Sequence, residues 1–219
     1  MYAASSGQGI QLGLFDAITD LLTVHSIDWL GVPVLAILLF FVFRKNQTVP
    51  KVKTSILCFL FYYYLCVTLT NIVGFPTLRE YFRLSGLGES FFNPNVNLVP
   101  FADGFSLSFV LNILLFVPLG LLCPCISRHY QRMKSVLLLG FGLSLTIELA
   151  QLFTQYRATD VDDLITNTAG TLLGYLCFRL IHRAKRDDKK PDGLRLVPVV
   201  IVGMALVLDY VFYGVFSWL

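Results

Sequence analysis

Four carboxylates lie close together in the second half of the chain and could carry acid–base or metal chemistry. They are Glu148, Asp160, Asp162 and Asp163, and the one basic residue among them is Arg157. Four negative charges against one positive charge leave a local formal charge of −3, which is costly without a cation, shared protons or a basic ligand. Such oxygen ligands suit Mg²⁺, Mn²⁺ or Ca²⁺. The candidate general bases are Glu148 and Asp163, and the candidate ligands of a divalent cation are Glu148, Asp160 and Asp163.

Amide side chains accompany the carboxylates, and two interpretations of the set are open. Asn112 and Asn167 could bind a ligand, or they could join helices by hydrogen bonds. Asp160 and Asp162 could equally be acids that stabilise a helix N-terminus. The candidate ligand-binding residues are Asn97, Asn112, Glu148, Gln151, Arg157, Asp160, Asp162, Asp163 and Asn167.

The sequence places no nucleophile for covalent catalysis beside these carboxylates. No serine or cysteine has a neighbouring base, and the three histidines, His25, His129 and His182, lie far from the cluster along the chain. The cysteines fall inside apolar runs without a Cys-x-x-Cys or zinc spacing, which is typical of reduced, structural thiols. They are Cys58, Cys66, Cys123, Cys125 and Cys177.

The segments that must position these residues are apolar enough to cross a membrane. Of 219 residues, 56% are hydrophobic and 14% charged, with a mean hydropathy of +0.70. Soluble domains average about 45–50% apolar and about 25% charged residues, so a soluble or disordered chain is excluded. Lipid-exposed strands would leave backbone groups unpaired, so the spans must be helices. The sequence predicts an all-α, polytopic membrane helix bundle with six spans, over 28–43, 54–73, 105–127, 135–153, 161–181 and 196–218.

The segment before the first span has a different character. Apolar residues recur there at helical spacing with polar residues between them, which is typical of a helix that lies in the membrane interface. We therefore divide the chain into an N-terminal interfacial amphipathic segment, 1–27, and a membrane domain, 28–219.

The basic residues predict the orientation of the bundle. Alternating the loops between two sides places fourteen lysines and arginines on one side, and only Arg79, Arg83 and Arg157 on the other. The positive-inside rule makes the first side cytoplasmic, so both termini should lie outside. Topology alone accounts for the basic stretch 182–195, and the net charge of +3 gives no reason to expect a nucleic-acid partner.

Polar residues gather at one depth near the outer ends of three spans. At 1.5 Å per residue, Asn112, Glu148 and Asn167 lie roughly 6 to 9 Å below that end, with Gln151 and Asp163 one turn further out. A charged carboxyl group in hydrocarbon costs about 2.5 to 3.5 kcal/mol or more, so Glu148 must be protonated, paired or in contact with water. The sequence thus predicts a polar pocket that faces outwards.

Neighbouring segments should close this pocket. Because the loop 154–160 is short, the fourth and fifth spans are expected to be antiparallel neighbours. Small residues, Gly140 and Ser144 on one span and Gly170 and Gly174 on the other, would allow close approach. The run NPNVNLVPF, at 93–101, should form a fixed, turn-rich loop over the pocket.

Four motifs resemble those of the VanZ-like family of bacterial membrane proteins. They are NLVPF at 97–101, NILLFVPLG at 112–120, IELAQ at 147–151 and R-x-x-D-x-D-D-L-x-x-N-x-x-G from Arg157 to Gly170. The resemblance covers about 97–174. Its recurrent residues fall on Asn97, Pro100, Asn112, Pro118, Gly120, Glu148, Gln151, Arg157, Asp160, Asp162, Asp163, Asn167 and Gly170.

The resemblance implies a multi-pass protein of the bacterial cytoplasmic membrane that contributes to resistance to teicoplanin, a lipoglycopeptide, or to cell-envelope maintenance. The expected partners are membrane lipids, with a lipid-linked cell-wall precursor or the glycopeptide antibiotic as ligand of the outer pocket. One alternative is a divalent-cation-dependent transferase or hydrolase that acts on an envelope lipid. Another is a scaffold in which the polar residues only fix the helix packing.

Overall fold

The computed structural model describes residues 22–24, 28–73, 78–90, 92, 94–101, 104, 107–154, 158–182 and 193–208. Two sequence-based predictions fall outside this part of the chain. They are the interfacial helix within 1–27, of which only residues 22–24 are described, and the placement of Arg157.

The described residues form α-helices joined by short turns and one very small sheet. The helices are α1 (Gly31–Lys45), α2 (Lys51–Val67), α3 (Leu78–Leu87), α4 (Leu107–Ile126), α5 (Met133–Gln151), α6 (Val161–Ile181) and α7 (Val197–Val207). A π-helical stretch, Thr68–Val73, continues α2, and 3-10 turns cover Asp28–Leu30 and Arg128–Gln131. The strands are β1 (Val96–Asn97) and β2 (Thr159–Asp160).

Each of the six predicted spans contains a helix, but four of these helices are long and apolar enough to cross a membrane. These four are Lys51–Thr70, Leu107–Ile126, Met133–Gln151 and Val161–Ile181. The 15 residues of α1 extend about 22 Å, which is shorter than a hydrocarbon core of about 30 Å. The described part of α7 has 11 residues.

The closest pair of helices is α4 and α6, which run parallel with their backbones in contact. A Cβ atom at Gly170 would overlap the carbonyl group of Ile113, and one at Gly120 would overlap the carbonyl group of Thr171. A Cβ atom at Gly174 would lie 3.0 Å from the Cα of Gly120. Small residues on both helices therefore let the two backbones meet.

This contact corrects one sequence-based prediction. Gly170 and Gly174 were expected to face the fourth span, which is α5, but they face α4. The helix α5 packs on another side of α6, where Gly140 leaves room for the side chain of Thr171. A pair of small residues marks a face that can approach a neighbour, but it does not specify which neighbour.

The remaining helices pack around this centre. Tyr64 of α2 donates a 2.7 Å hydrogen bond to the carbonyl of Leu115, in the turn of α4 that precedes Pro118. Both α1 and α7 pack against α2, where Leu35, Phe61 and Ile201 are fully buried. All five cysteines are free thiols.

The two ends of the bundle differ in charge. At the basic end, the α1–α2 turn, the α4–α5 turn and the segment before α7 come together, as shown by the contact between Gly193 and Asn46. At the acidic end, α4 and α6 begin and α5 ends, and the carboxylates lie there. The described parts of the three basic loops therefore lie at the same end of the bundle, as predicted.

The α4–α6 contact predicts a large difference between two glycine substitutions. Gly170→Ala should cost about 3 kcal/mol, the upper part of the usual range for overpacking, because a backbone carbonyl cannot move aside. The matched change is Gly142→Ala on α5, where the added methyl group meets nothing within 4 Å. That change should be neutral or stabilising by up to about 1 kcal/mol. Thermal unfolding in detergent measures both, and equal stability of the two variants would contradict the contact.

Candidate functional site

A two-stranded parallel pair closes the acidic end. Val96 pairs with Thr159 and Asn97 with Asp160, and the N–H of Thr159 donates to the carbonyl of Asn95 at 2.9 Å. Each strand precedes one of the two parallel helices, α4 or α6. This places the NLVPF run over the carboxylates, as predicted. The sequence gives no sign of the sheet itself, because two residues are too few to show a period of two.

Glu148 joins the last turn of α5 to β2. Its side chain is 3% exposed, and its Oε2 accepts the backbone N–H of Asp160 at 2.8 Å. The carbonyl of the same residue accepts the hydroxyl of Thr159 at 2.9 Å. In the orientation that satisfies both ends of its amide, Gln151 donates to Oε2 of Glu148 and to the carbonyl of Ala158, each at 3.3 Å. Of the three states predicted for Glu148, which are protonated, paired or in contact with water, the structure shows pairing with two hydrogen-bond donors.

Asp160 is the N-cap of α6 and also binds the loop above it. Its Oδ1 accepts the N–H of Asp162 at 2.9 Å, which satisfies one of the free donors at the helix start. Its Oδ2 accepts the Nδ2 of Asn97 at 3.3 Å. The helix-start interpretation of Asp160 is confirmed, and the same side chain contacts a second predicted site residue.

Asp162 holds the loop that leads from β1 towards α4. The backbone N–H of Phe101 donates to both carboxylate oxygens of Asp162, at 3.0 Å each. Phe101 has a φ of 59°, a left-handed conformation that is uncommon for a bulky residue. Its ring stacks on Phe109 with the centroids 5.6 Å apart. The charge-assisted hydrogen bond therefore stabilises a turn that the chain would otherwise disfavour.

Two further hydrogen bonds connect the three helices below the loop. Asn112 of α4 donates to Asp163 of α6 at 2.5 Å. Asn167 of α6 donates to the hydroxyl of Ser144 on α5 at 3.0 Å. Asn167 is only 5% exposed, and its Oδ1 has no hydrogen-bond partner among the described residues. A buried acceptor of this kind is uncommon and calls for an explanation, such as a water molecule or a ligand.

The structure brings the described site residues together at one end of three helices, in small hydrogen-bonded groups. Within the described ranges, no three His, Cys, Asp or Glu side chains converge in a way that could hold a metal ion. Instead, the proposed cation ligands Glu148, Asp160 and Asp163 each accept an N–H group. Sequence reasoning missed Thr159 and Phe101. Thr159 contributes its side-chain hydroxyl and Phe101 its backbone N–H. No sequence motif marks either group.

The fold and the site define a class of protein. Among the described residues, four helices have membrane-spanning length and a cluster of acidic and amide side chains lies at one end, as in a multi-pass membrane protein. The model of the VanZ/LLP1 family matches residues 59–182, which is more than half of the chain. The chain belongs to the VanZ/LLP1 family.

A curated relative supports the same assignment. Protein VanZ of Enterococcus faecium is 30% identical over 116 residues, which cover 52% of this chain and 70% of the relative. No solved structure matches the chain. The match to the family model begins at residue 59, inside α2, and ends at residue 182. It is therefore longer than the segment 97–174, which carries the four sequence motifs.

The contact between Asp162 and Phe101 can be tested directly. Asp162→Ala should remove a hydrogen bond to a charged group, a loss of about 1.5 to 3 kcal/mol. Amide hydrogen exchange at Phe101 should then accelerate by roughly 10- to 100-fold, because each 1.4 kcal/mol corresponds to a factor of ten. Asp162→Asn keeps one acceptor oxygen and should give an intermediate rate. An unchanged exchange rate in Asp162→Ala would show that Asp162 does not hold the loop.

Proposed function

We propose that the acidic end binds a ligand at the outer surface of the bacterial cytoplasmic membrane and so contributes to teicoplanin resistance or envelope maintenance. The ligand is a lipid-linked cell-wall precursor, a lipid headgroup or the glycopeptide antibiotic. Support comes from membership of the VanZ/LLP1 family and from the relative named Protein VanZ.

The observation that carries this proposal is the excess of acceptors at the acidic end. The Oδ1 of Asn167 is buried without a partner among the described residues. Beside it, the carboxylates of Asp160, Asp162 and Asp163 accept amide and backbone N–H groups, and each carboxylate offers about four acceptor positions in all. A ligand that fits must therefore supply donors, namely hydroxyl, amide or ammonium groups. The sugar hydroxyls and peptide amides of a wall precursor or a glycopeptide are of this kind.

The proposed orientation follows from the charges of the two ends. With the basic end in the cytoplasm, α4 and α6 begin at the outer surface, and both termini of the chain lie outside. The acidic cluster then lies within one to two turns of the outer headgroups. A lipid-linked ligand would reach it with its polar part while its chain stays in the membrane.

The binding residues proposed are those predicted from the sequence, and the structure supports this by the proximity of the described ones. Glu148 and Asp163 would contact ligand donors or, if a reaction occurs, accept a proton. The set is Asn97, Asn112, Glu148, Gln151, Asp160, Asp162, Asp163 and Asn167, with Arg157 from the same stretch of sequence.

Drug susceptibility of a bacterial host that expresses the chain tests the proposal. The wild type should raise the minimal inhibitory concentration of teicoplanin, and Asp163→Asn and Asn167→Ala should abolish the increase at equal membrane abundance. The matched control is Glu89→Gln, an exposed carboxylate outside the cluster, which should behave as the wild type. No increase with the wild type, or an increase that survives both cluster substitutions, would contradict the proposal.

Binding to the purified protein separates recognition from catalysis. Teicoplanin or a lipid-linked precursor at about a hundred times its Kd should add about 2.7 kcal/mol of stability to the wild type and nothing to Asn167→Ala.

The alternative function is a divalent-cation-dependent transferase or hydrolase acting on an envelope lipid. It requires a new product, detected by mass spectrometry, whose formation depends on Mg²⁺ or Mn²⁺ and on Glu148. Binding without turnover supports the non-enzymatic function.

A further inference from the structure

A cavity lies at the basic end, remote from the acidic cluster. It has a volume of about 570 Å³, within the range of roughly 300 to 1,000 Å³ typical of small-molecule sites. The start of α2, the α4–α5 turn and the segment before α7 enclose it. Its polar wall is formed by Thr48, Lys53, Thr54, Arg128 and Gln131.

The cavity is electropositive. Lys53 and Arg128 line it, and neither forms an ion pair with a carboxylate in the stretches that the structure describes. The first turn of α2 begins at Lys51 on the same wall, so the positive end of the helix dipole adds to the two cations. Both side chains are exposed, and together with the helix start they favour an anion.

An apolar groove adjoins this cavity on the outer face of α2. Pro50 and Lys53 line both, and the groove continues along Val52, Ile56 and Leu57. Val52 is 76% exposed and Ile56 is 62% exposed. Because α2 is long enough to cross a membrane, the exposed apolar side chains along it would lie against acyl chains. The combined site therefore fits a molecule with an anionic head and an apolar tail.

We propose that the basic end binds an anionic phospholipid. Its phosphate lies between Lys53 and Arg128, and one acyl chain lies in the groove along Val52 and Ile56. Basic pockets between membrane helices near the cytoplasmic surface recognise anionic headgroups in this way. The bound lipid would bridge α2, the α4–α5 turn and the segment before α7. It would therefore stabilise the packing of these elements. This proposal does not depend on the function of the acidic end.

Thermal unfolding of the full chain in neutral detergent tests the site, with three probes at equal concentration. Phosphatidylglycerol at about a hundred times its Kd should raise Tm by roughly 5 to 10 °C. Phosphatidylcholine, with the same chains but no net charge, should not raise it. Inorganic phosphate should not raise it either. An equal shift with inorganic phosphate would identify a free-phosphate site and overturn the lipid assignment.

Two double variants separate the site from the general basic surface. Lys53→Gln with Arg128→Gln should lose the phosphatidylglycerol shift. Lys45→Gln with Lys134→Gln removes the same charge from exposed positions at the same end, outside the cavity, and should keep it. Equal loss in both variants, or an equal shift with phosphatidylcholine, would show nonspecific attraction and overturn the proposal.

A further measurement tests the proposal even if the Lys53→Gln, Arg128→Gln variant fails to fold. In native mass spectrometry of the wild type with equal amounts of the two lipids, phosphatidylglycerol should be retained preferentially. Ile56→Ala, which shortens the groove and leaves the charges intact, should reduce its retention. Equal retention of both lipids by the wild type would overturn the proposal.

Discussion

The backbone contact between α4 and α6 is the constraint on which the acidic end depends. In a membrane, lipid chains are as apolar as the helices, so the association of helices depends on close packing and interhelical hydrogen bonds. Glycine at Gly120, Gly170 and Gly174 allows the two backbones to touch. The resulting parallel register places Asn112 beside Asp163. It also brings β1 beside β2, ahead of the two helices.

Given that register, the polar residues serve the fold and the site together. Each of the four carboxylates accepts a hydrogen bond from a different element: Glu148 from β2, Asp160 from β1, Asp162 from the loop and Asp163 from α4. Such charge-assisted bonds are strong where water is scarce. A structural role and a binding role are therefore not exclusive, because the groups that hold the loop in place are also the acceptors proposed to bind a ligand.

The two ends of the bundle differ in their relation to the family. The acidic cluster lies wholly within the matched region, residues 59–182. The basic cavity combines residues from inside and outside the matched region. Pro124 to Gln131 fall inside it, whereas Thr48 to Thr54, Gly193 and Leu194 fall outside. The acidic end thus lies within the part of the chain that matches the family model. The basic cavity depends on segments that pack against the family region from either side of it.

The sequence by itself determined the class of protein and the positions of the described membrane-spanning helices, and it predicted the depth at which the polar residues lie. Hydropathy and the rise per residue are local properties, so they can be read along the chain. The spacing of the four motifs is enough to indicate the family. The partner of a helix face, by contrast, depends on the shapes of two surfaces that are distant in sequence. For that reason only the tertiary structure showed that Gly170 and Gly174 meet α4, that two short segments form a sheet, and that the Oδ1 of Asn167 is buried without a partner in the described chain.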